Sequence, residues 1–291
     1  MHPAPSVIIF TALSGLGFGM MVFLGLGYLN VVVLTAFVFV AMAYALAGGG
    51  LLSSLFHLGH PERFLKALTQ WRSSWLSREG ILSILTMGIF GIYAILWIFM
   101  DMRIELLGYI AALLSIWTIF STSMIYAQMK SVPRWNSAMT PILFMLYAFA
   151  GGALLTTQVN IAGWMMAALA VAQIVAWLLG DGAFAKSGSD MGTATGLGGL
   201  GKVRLLEKPH SGTNYLMKEM VYVIGRKHAL KLRIIALSTG MVIPAVLLLA
   251  LPPGHMIGLL AILSHMLGLF TARWLFFAEA EHVVGLYYGQ R

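Results

Sequence analysis

His57, His60, Arg63, Arg72, Arg78 and Glu79 fall within one stretch, 57–80, between two long apolar runs, in a chain of 291 residues of which only 10% are charged. An imidazole carries one lone pair and one N–H, so it can accept a proton while holding a ligand oxygen. Ser53 and Ser54, one turn before His57, share its helix face, which places a hydroxyl to orient the ring. A carboxylate at a membrane edge needs a partner. Glu79 therefore reads equally as half of an ion pair with Arg78, Arg63 or Arg72 and as a proton-transfer group. A histidine at an interface is commonly a plain amphipathic residue; His57 stands out by its company, gathered at one membrane edge by the connection that carries all six residues.

The elements that must position them are apolar. Hydrophobic residues make up 59% of the chain, against roughly 45–50% in soluble domains. Runs near the length of about 20 residues that crosses a bilayer occur at 7–28, 31–56, 81–100, 106–127, 141–157, 161–179, 232–251 and 256–277. They are continuously apolar rather than alternating, so helices and not barrel strands satisfy their backbones in lipid. The expected fold class is an all-α integral membrane protein, a single membrane domain over 1–291 with a bundle of eight transmembrane helices. Residues 1–6 carry no Lys or Arg, so the first run is expected to be a retained helix rather than a cleaved signal.

Charge orients the bundle. Arg63, Lys66, Arg72 and Arg78 lie between helices two and three, Lys130 and Arg134 between four and five, and Lys186, Lys202, Arg204, Lys208, Lys218, Arg226, Lys227, Lys231 and Arg233 around the link from six to seven. The links at 29–30, 158–160 and 252–255 have no Lys or Arg, and 101–105 has only Arg103. The positive-inside rule puts the basic connections and both termini in the cytoplasm. The net charge of +8 then means orientation and contact with anionic lipid, with no nucleic acid as partner.

Local features refine this plan. Gly15 and Gly19 form a small-xxx-small pair suited to close helix approach. Gly48, Gly49 and Gly50 weaken helix two where a backbone or a flat ligand can come near. Phe64, Leu65, Leu68, Trp71 and Trp75 repeat at spacings of three and four, predicting an amphipathic helix within an interfacial segment, 58–79. The long cytoplasmic loop, 181–231, far exceeds ordinary loop length; its glycine-rich part, 187–201, reads as mobile, and 215–222 as a contact for a partner protein.

The absence of cysteine argues against an iron-sulfur cluster or c-type haem in this chain. His265 alone lies deep, while His57, His60 and His282 lie near one surface and His255 near the other, so paired axial ligands for b-type haem are not expected. Nor does the histidine spacing make a metal site. Helix eight adds Arg273, expected to snorkel to the interface, with Glu279, Glu281 and His282 beyond it. A transporter would need paired broken helices at the midplane, and the two halves show no such pair.

The run His57-Leu58-Gly59-x-Pro61-x-Arg63, then Ser74-Trp75-Leu76-Ser77-Arg78-Glu79, with the opening Met1-His2-Pro3-Ala4-Pro5-Ser6, resembles the membrane anchor subunit of dimethyl sulfoxide reductases. That family also includes the membrane subunit of cytoplasmic sulfite-oxidising molybdoenzymes. The resemblance implies a haem-free chain, itself without molybdenum, that binds quinone (ubiquinone or menaquinone). It further implies electron exchange with a four-cluster iron-sulfur subunit and, through it, a molybdopterin catalytic subunit. The family's quinol-site residues carry over to His57, Gly59, Arg63 and Glu79; Ser53 joins them from the spacing argument. Because the cluster shares a side with the basic connections, a cytoplasm-facing sulfite dehydrogenase is expected, the alternative being a dimethyl sulfoxide reductase that oxidises menaquinol.

Overall fold

The computed structural model describes residues 1–207, 209–210, 212, 214–221 and 227–289. Among them the regular elements are all helical. Eight long helices follow in order: α1 (Pro5–Gly25), α2 (Val33–Leu55), α3 (Trp75–Met100), α4 (Glu105–Ala127), α5 (Met139–Leu155), α6 (Val159–Asp181), α7 (Ala229–Ala250) and α8 (His255–Ala278). Seven are long and apolar enough to cross a membrane; α5, with 17 residues, is shorter and at about 1.5 Å per residue sits at the lower limit for a span.

Helix α1 is the axis of the bundle. It is largely buried, and its small residues set the distance to its neighbours: a Cβ at Gly17 would collide with the backbone of Ala43 and Ala47 on α2, and one at Gly19 with the Ala148 carbonyl on α5. Gly15, the other member of the expected pair, has open space around it. The three glycines of α2 leave the helix continuous; Gly50 abuts the Ser14 backbone, so at that position they serve packing.

The largest departure from the expected boundaries is the start of α3, at Trp75 rather than 81. Ser74 caps it, accepting from the Ser77 N–H at 3.4 Å, and the polar run 77–80 becomes its first turns because Ser77 and Glu79 face inward. The single amphipathic helix expected through 75 is divided. Pro61–Gln70 forms a 3-10 helix, and a turn separates it from α3. The Trp71 and Arg72 carbonyls, which a continuing helix would consume, instead accept from Arg78 Nε at 2.9 Å and Nη2 at 2.7 Å.

Helix α7 contains a π turn, Ser238–Val242. Pro244 has no N–H for the carbonyl four residues back; His265 Nδ1 on α8 donates to that Gly240 carbonyl at 2.7 Å. The deep histidine thus repairs a break in the neighbouring helix.

Both termini meet at one end. The Met1 ammonium donates to the Ala280 carbonyl at 2.6 Å, and the His2 N–H to the Glu219 carbonyl at 2.7 Å. The glycine-rich loop, expected to be mobile, is folded: Asp190 and Thr193 form a capping box, Tyr287 donates to the Ala194 carbonyl, and Asn214 donates to the Tyr288 hydroxyl at 3.0 Å. Tyr222, the end of the expected partner contact, and the basic residues Lys208 and Arg226 lie outside the described residues.

Candidate functional site

The connection from α2 to α3 carries the sequence-predicted cluster at the end of the bundle where the termini meet. His57 follows the last turn of α2, exposed, its N–H bonded to the Ser54 carbonyl at 3.1 Å. The expectation that a serine orients its ring is not met. Ser53 Oγ donates to the carbonyls of Gly50 (2.7 Å) and Ser6 (3.1 Å), and Ser54 Oγ to that of Leu51 (2.7 Å), because helix-end hydroxyls find nearby carbonyls first. Gly59 is exposed with open space beside it. His60 Nδ1 lies 3.0 Å from Glu62, and Arg63 Nε 3.9 Å from the same carboxylate. Arg63 is therefore a surface partner of Glu62, not of Glu79.

Glu79 is brought inside. It sits on α3, 3% exposed, and accepts from Thr122 Oγ1 on α4 at 2.5 Å. Among the described residues it has no arginine partner; Arg78 is held by the two carbonyls named above and lies 4.4 Å over the Trp75 ring. The same Thr122 hydroxyl is 3.0 Å from the Thr118 carbonyl. With Glu79 ionised, the hydroxyl proton points to the carboxylate. With Glu79 protonated, the carboxyl donates to Thr122, whose proton turns to Thr118. The pair accommodates both protonation states without moving a backbone.

Against α3 and α4, lined by neither member of this pair, lies a groove of about 500 Å³. Trp71, Trp75 and Trp117 wall it, Arg72 and Arg78 stand at its rim, and Ser121 lies at its base. The 3-10 helix that leads into Trp71 is locked to α3: Ser77 Oγ donates to the Ala67 carbonyl, and Leu68 fills the space that a side chain at Gly80 would need. Ser121 Oγ is buried and has no hydrogen-bond partner, an arrangement that costs free energy unless a ligand or water meets it. A flat amphipathic ring fits such walls and such a base. Ser121 and Thr122 are consecutive, so one backbone step separates the groove's orphan hydroxyl from the residue that holds Glu79.

A second polar cluster caps the same end. Arg134 contacts Asp181 at 2.5 Å and Glu279 at 3.3 Å, and Arg233 contacts Asp181 at 2.5 Å and Glu279 at 2.6 Å. Gly180 leaves room for the Arg134 guanidinium. Arg273 does not snorkel: it is 3% exposed, its guanidinium 3.9 Å over the Phe144 ring, because α5 offers it aromatic faces nearer than water. Among the described residues no group of three or more His, Cys, Asp or Glu could hold a metal ion.

Sequence reasoning missed Thr122, Ser121, Trp117 and Asp181. The first two had a visible signal: Ser115, Thr118, Ser121 and Thr122 recur at helical spacing in an otherwise apolar run and are all buried. The ion cluster joins positions 46 to 145 apart, beyond any local pattern.

A helical bundle of this length and apolarity, with its polar groups gathered at one end, is a multi-pass membrane protein. Comparison with known proteins makes the class specific. The DMSO reductase anchor subunit (DmsC) family matches residues 1–191. Over 327 aligned residues the protein is 30% identical to a sulfite dehydrogenase subunit of Allochromatium vinosum, with 99% of each covered. It is 27% identical to its counterpart in the anaerobic dimethyl sulfoxide reductase of Escherichia coli, over 52% of this protein and 55% of that one. The counterpart in the anaerobic dimethyl sulfoxide reductase of Haemophilus influenzae is 31% identical over 37% and 39%. No solved structure gives a match. The chain belongs to the DMSO reductase anchor subunit family.

Proposed function

We propose that this chain is the quinone-binding membrane anchor of a heterotrimeric molybdopterin oxidoreductase, exchanging electrons between the membrane quinone pool and an iron-sulfur subunit, in a cytoplasm-facing sulfite dehydrogenase. The observation that carries the reading is the aromatic groove with the unpartnered Ser121 hydroxyl at its base, one residue from the threonine that holds buried Glu79. A quinone, when bound, supplies two-electron, two-proton redox chemistry.

This chain's residues do the rest. Trp71, Trp75 and Trp117 enclose a flat ring, and Ser121 donates to a ring oxygen. Glu79 takes or gives the proton, with Thr122 following its charge state. His57, Gly59 and Arg63, none of which lines the groove, belong to the partner-facing edge and reach the ring only once the partner has docked. His57 supplies a second hydrogen bond to a ring oxygen, Gly59 admits close approach, and Arg63 contacts the docked iron-sulfur subunit. Glu79 does not need Arg63 for this, since Thr122 serves it.

Two observations support the sulfite branch. The match to the sulfite dehydrogenase subunit runs the full length of both proteins, whereas those to the dimethyl sulfoxide reductases extend over about half or less. The site also shares an end with the basic connections, the cytoplasmic side by the positive-inside rule. The purified complex should oxidise sulfite with a soluble quinone as acceptor, and a quinone analogue should block that activity while dye-linked activity survives. Quinone-linked activity only with dimethyl sulfoxide and a quinol would favour the other branch; no analogue binding would refute the site.

A further inference from the structure

Beyond the groove, a second set of buried polar groups crosses the bundle interior. Arg273 on α8 lies over the rings of Phe144 (3.9 Å) and Tyr147 (5.0 Å), and its buried Nε has no hydrogen-bond partner. A buried cation is costly unless charge or oriented dipoles answer it, and aromatic faces answer it only in part. Arg273 forms a shared wall of two spaces. One is an interior void of about 10 Å³, bordered also by Thr11 and Ser14 of α1 and by Thr122, close to the least that one water requires. The other is a chamber of about 50 Å³, lined by Tyr147 and Gln173 and roofed by Arg134 and Glu279, roomy enough for several waters.

The walls suit water. Thr11 and Ser14 donate their hydroxyl protons to carbonyls of their own helix, leaving oxygen lone pairs to accept. Thr122 faces the void and is also the residue that holds Glu79. The order Glu79, Thr122, void, Arg273, chamber, Glu279 therefore runs from the buried carboxylate to the ion cluster at the end where the termini meet. Tyr126, one turn after Thr122, interacts electrostatically with both Glu79 and Arg273.

We propose that Glu79 exchanges protons with the cytoplasmic end through this interior route, with water as the carrier and Arg273 as a positioning residue whose fixed charge orients that water. The route rests on the functional reading above and deepens it: the groove admits the ring from the lipid side, and protons travel on the opposite side of α4. Only protons move. Each one that Glu79 takes comes from the Thr122 hydroxyl, which is reprotonated by a water of the void, and that water from the chamber; no electron uses this path. The titratable and charged groups lining it besides Arg273 are Tyr147, Arg134 and Glu279, and Tyr126 is coupled electrostatically to Glu79 and Arg273.

The test uses the intact complex with a soluble quinone. Arg273→Leu and Gln173→Leu, the latter drying the chamber far from the groove, should each slow quinone-linked turnover about tenfold or more. Each should also raise its solvent deuterium isotope effect and displace its pH profile, with dye-linked activity and quinone-analogue binding unchanged. Arg273→Lys should recover much of the rate. If Arg273→Leu does not assemble, Gln173→Leu and Arg273→Lys decide. Wild-type turnover, isotope effect and pH profile in Gln173→Leu would overturn the route and leave the quinone site standing; loss of analogue binding in the unmodified complex would instead overturn the functional reading beneath it.

Discussion

The Thr122 hydroxyl on α4 lies 2.5 Å from the Glu79 carboxylate on α3, and Glu79 has no ion-pair partner among the described residues. A buried acid held by one hydroxyl is suited to changing its charge, whereas one clamped by an arginine is held ionised. Glu79→Gln should therefore lower quinone-linked turnover about a hundredfold, within the usual range for a lost acid–base group, while the complex still assembles. Thr122→Val, which leaves the carboxylate without its donor, should cost about tenfold. Turnover of the purified complex measures both, and an unaffected Glu79→Gln complex would remove Glu79 from the chemistry.

The groove makes a separate prediction, read by binding rather than rate. Ser121→Ala removes one neutral hydrogen bond, so affinity for a quinone analogue should fall about fivefold, equivalent to about 1 kcal/mol. Ser121→Leu, which projects into the groove, should weaken it far more, and Trp117→Ala about tenfold through lost ring contact. Fluorescence quenching of the groove tryptophans by the analogue follows the series. Unchanged affinity in Ser121→Leu places the ring elsewhere.

How much of this the sequence displays depends on the range of the interaction. The eight helices are legible because lipid demands about 20 apolar residues from each, a purely local property. The convergence of both termini and the basic connections at one end is legible for the same reason, since an even number of spans requires it. Glu79 is recognisable as an acid at the mouth of a helix, but its partner is not: three nearby arginines in sequence give way to Thr122, 43 positions on. Arg78 is already engaged, because the 3-10 helix stops where it presents two free carbonyls to that guanidinium. Arg273 defies a local reading because its aromatic neighbours come from α5, which nothing near position 273 reveals.

Helix contacts at α1 can be tested with a pair of glycines of similar appearance. Gly19 abuts the Ala148 carbonyl, while Gly15 has open space around it. Gly19→Val must push a backbone aside and should cost about 3 kcal/mol or more; Gly15→Ala should be close to neutral. Thermal denaturation in detergent separates them, and equal midpoints would mean that α1 and α5 are not in this contact.

The ion cluster predicts an order of stability effects. Glu279 is 5% exposed and joins both Arg134 and Arg233, whereas Asp181 is 48% exposed. Removing the buried carboxylate leaves both guanidiniums with only the half-exposed Asp181, so Glu279→Ala should destabilise by about 3 kcal/mol. Solvent screens the other site, and Asp181→Ala should cost about 1 kcal/mol. The reverse order in detergent unfolding would mean that the chamber beneath Glu279 is wetter than its burial implies.

His57 gives the prediction most sensitive to the partner subunit. It stands exposed at the end of α2, with its serine neighbours bonded to other carbonyls, so nothing among the described residues fixes its ring. If it supplies a hydrogen bond to a ring oxygen, the docked iron-sulfur subunit must orient it, and the contribution should exist only in the complex. His57→Ala should then abolish quinone-linked turnover and weaken analogue binding in the complex, leave dye-linked activity and assembly intact, and leave analogue binding by the isolated anchor nearly unchanged. Equal losses in complex and isolated anchor would show that the imidazole reaches the ring without help, and unchanged turnover in the complex would remove His57 from the site.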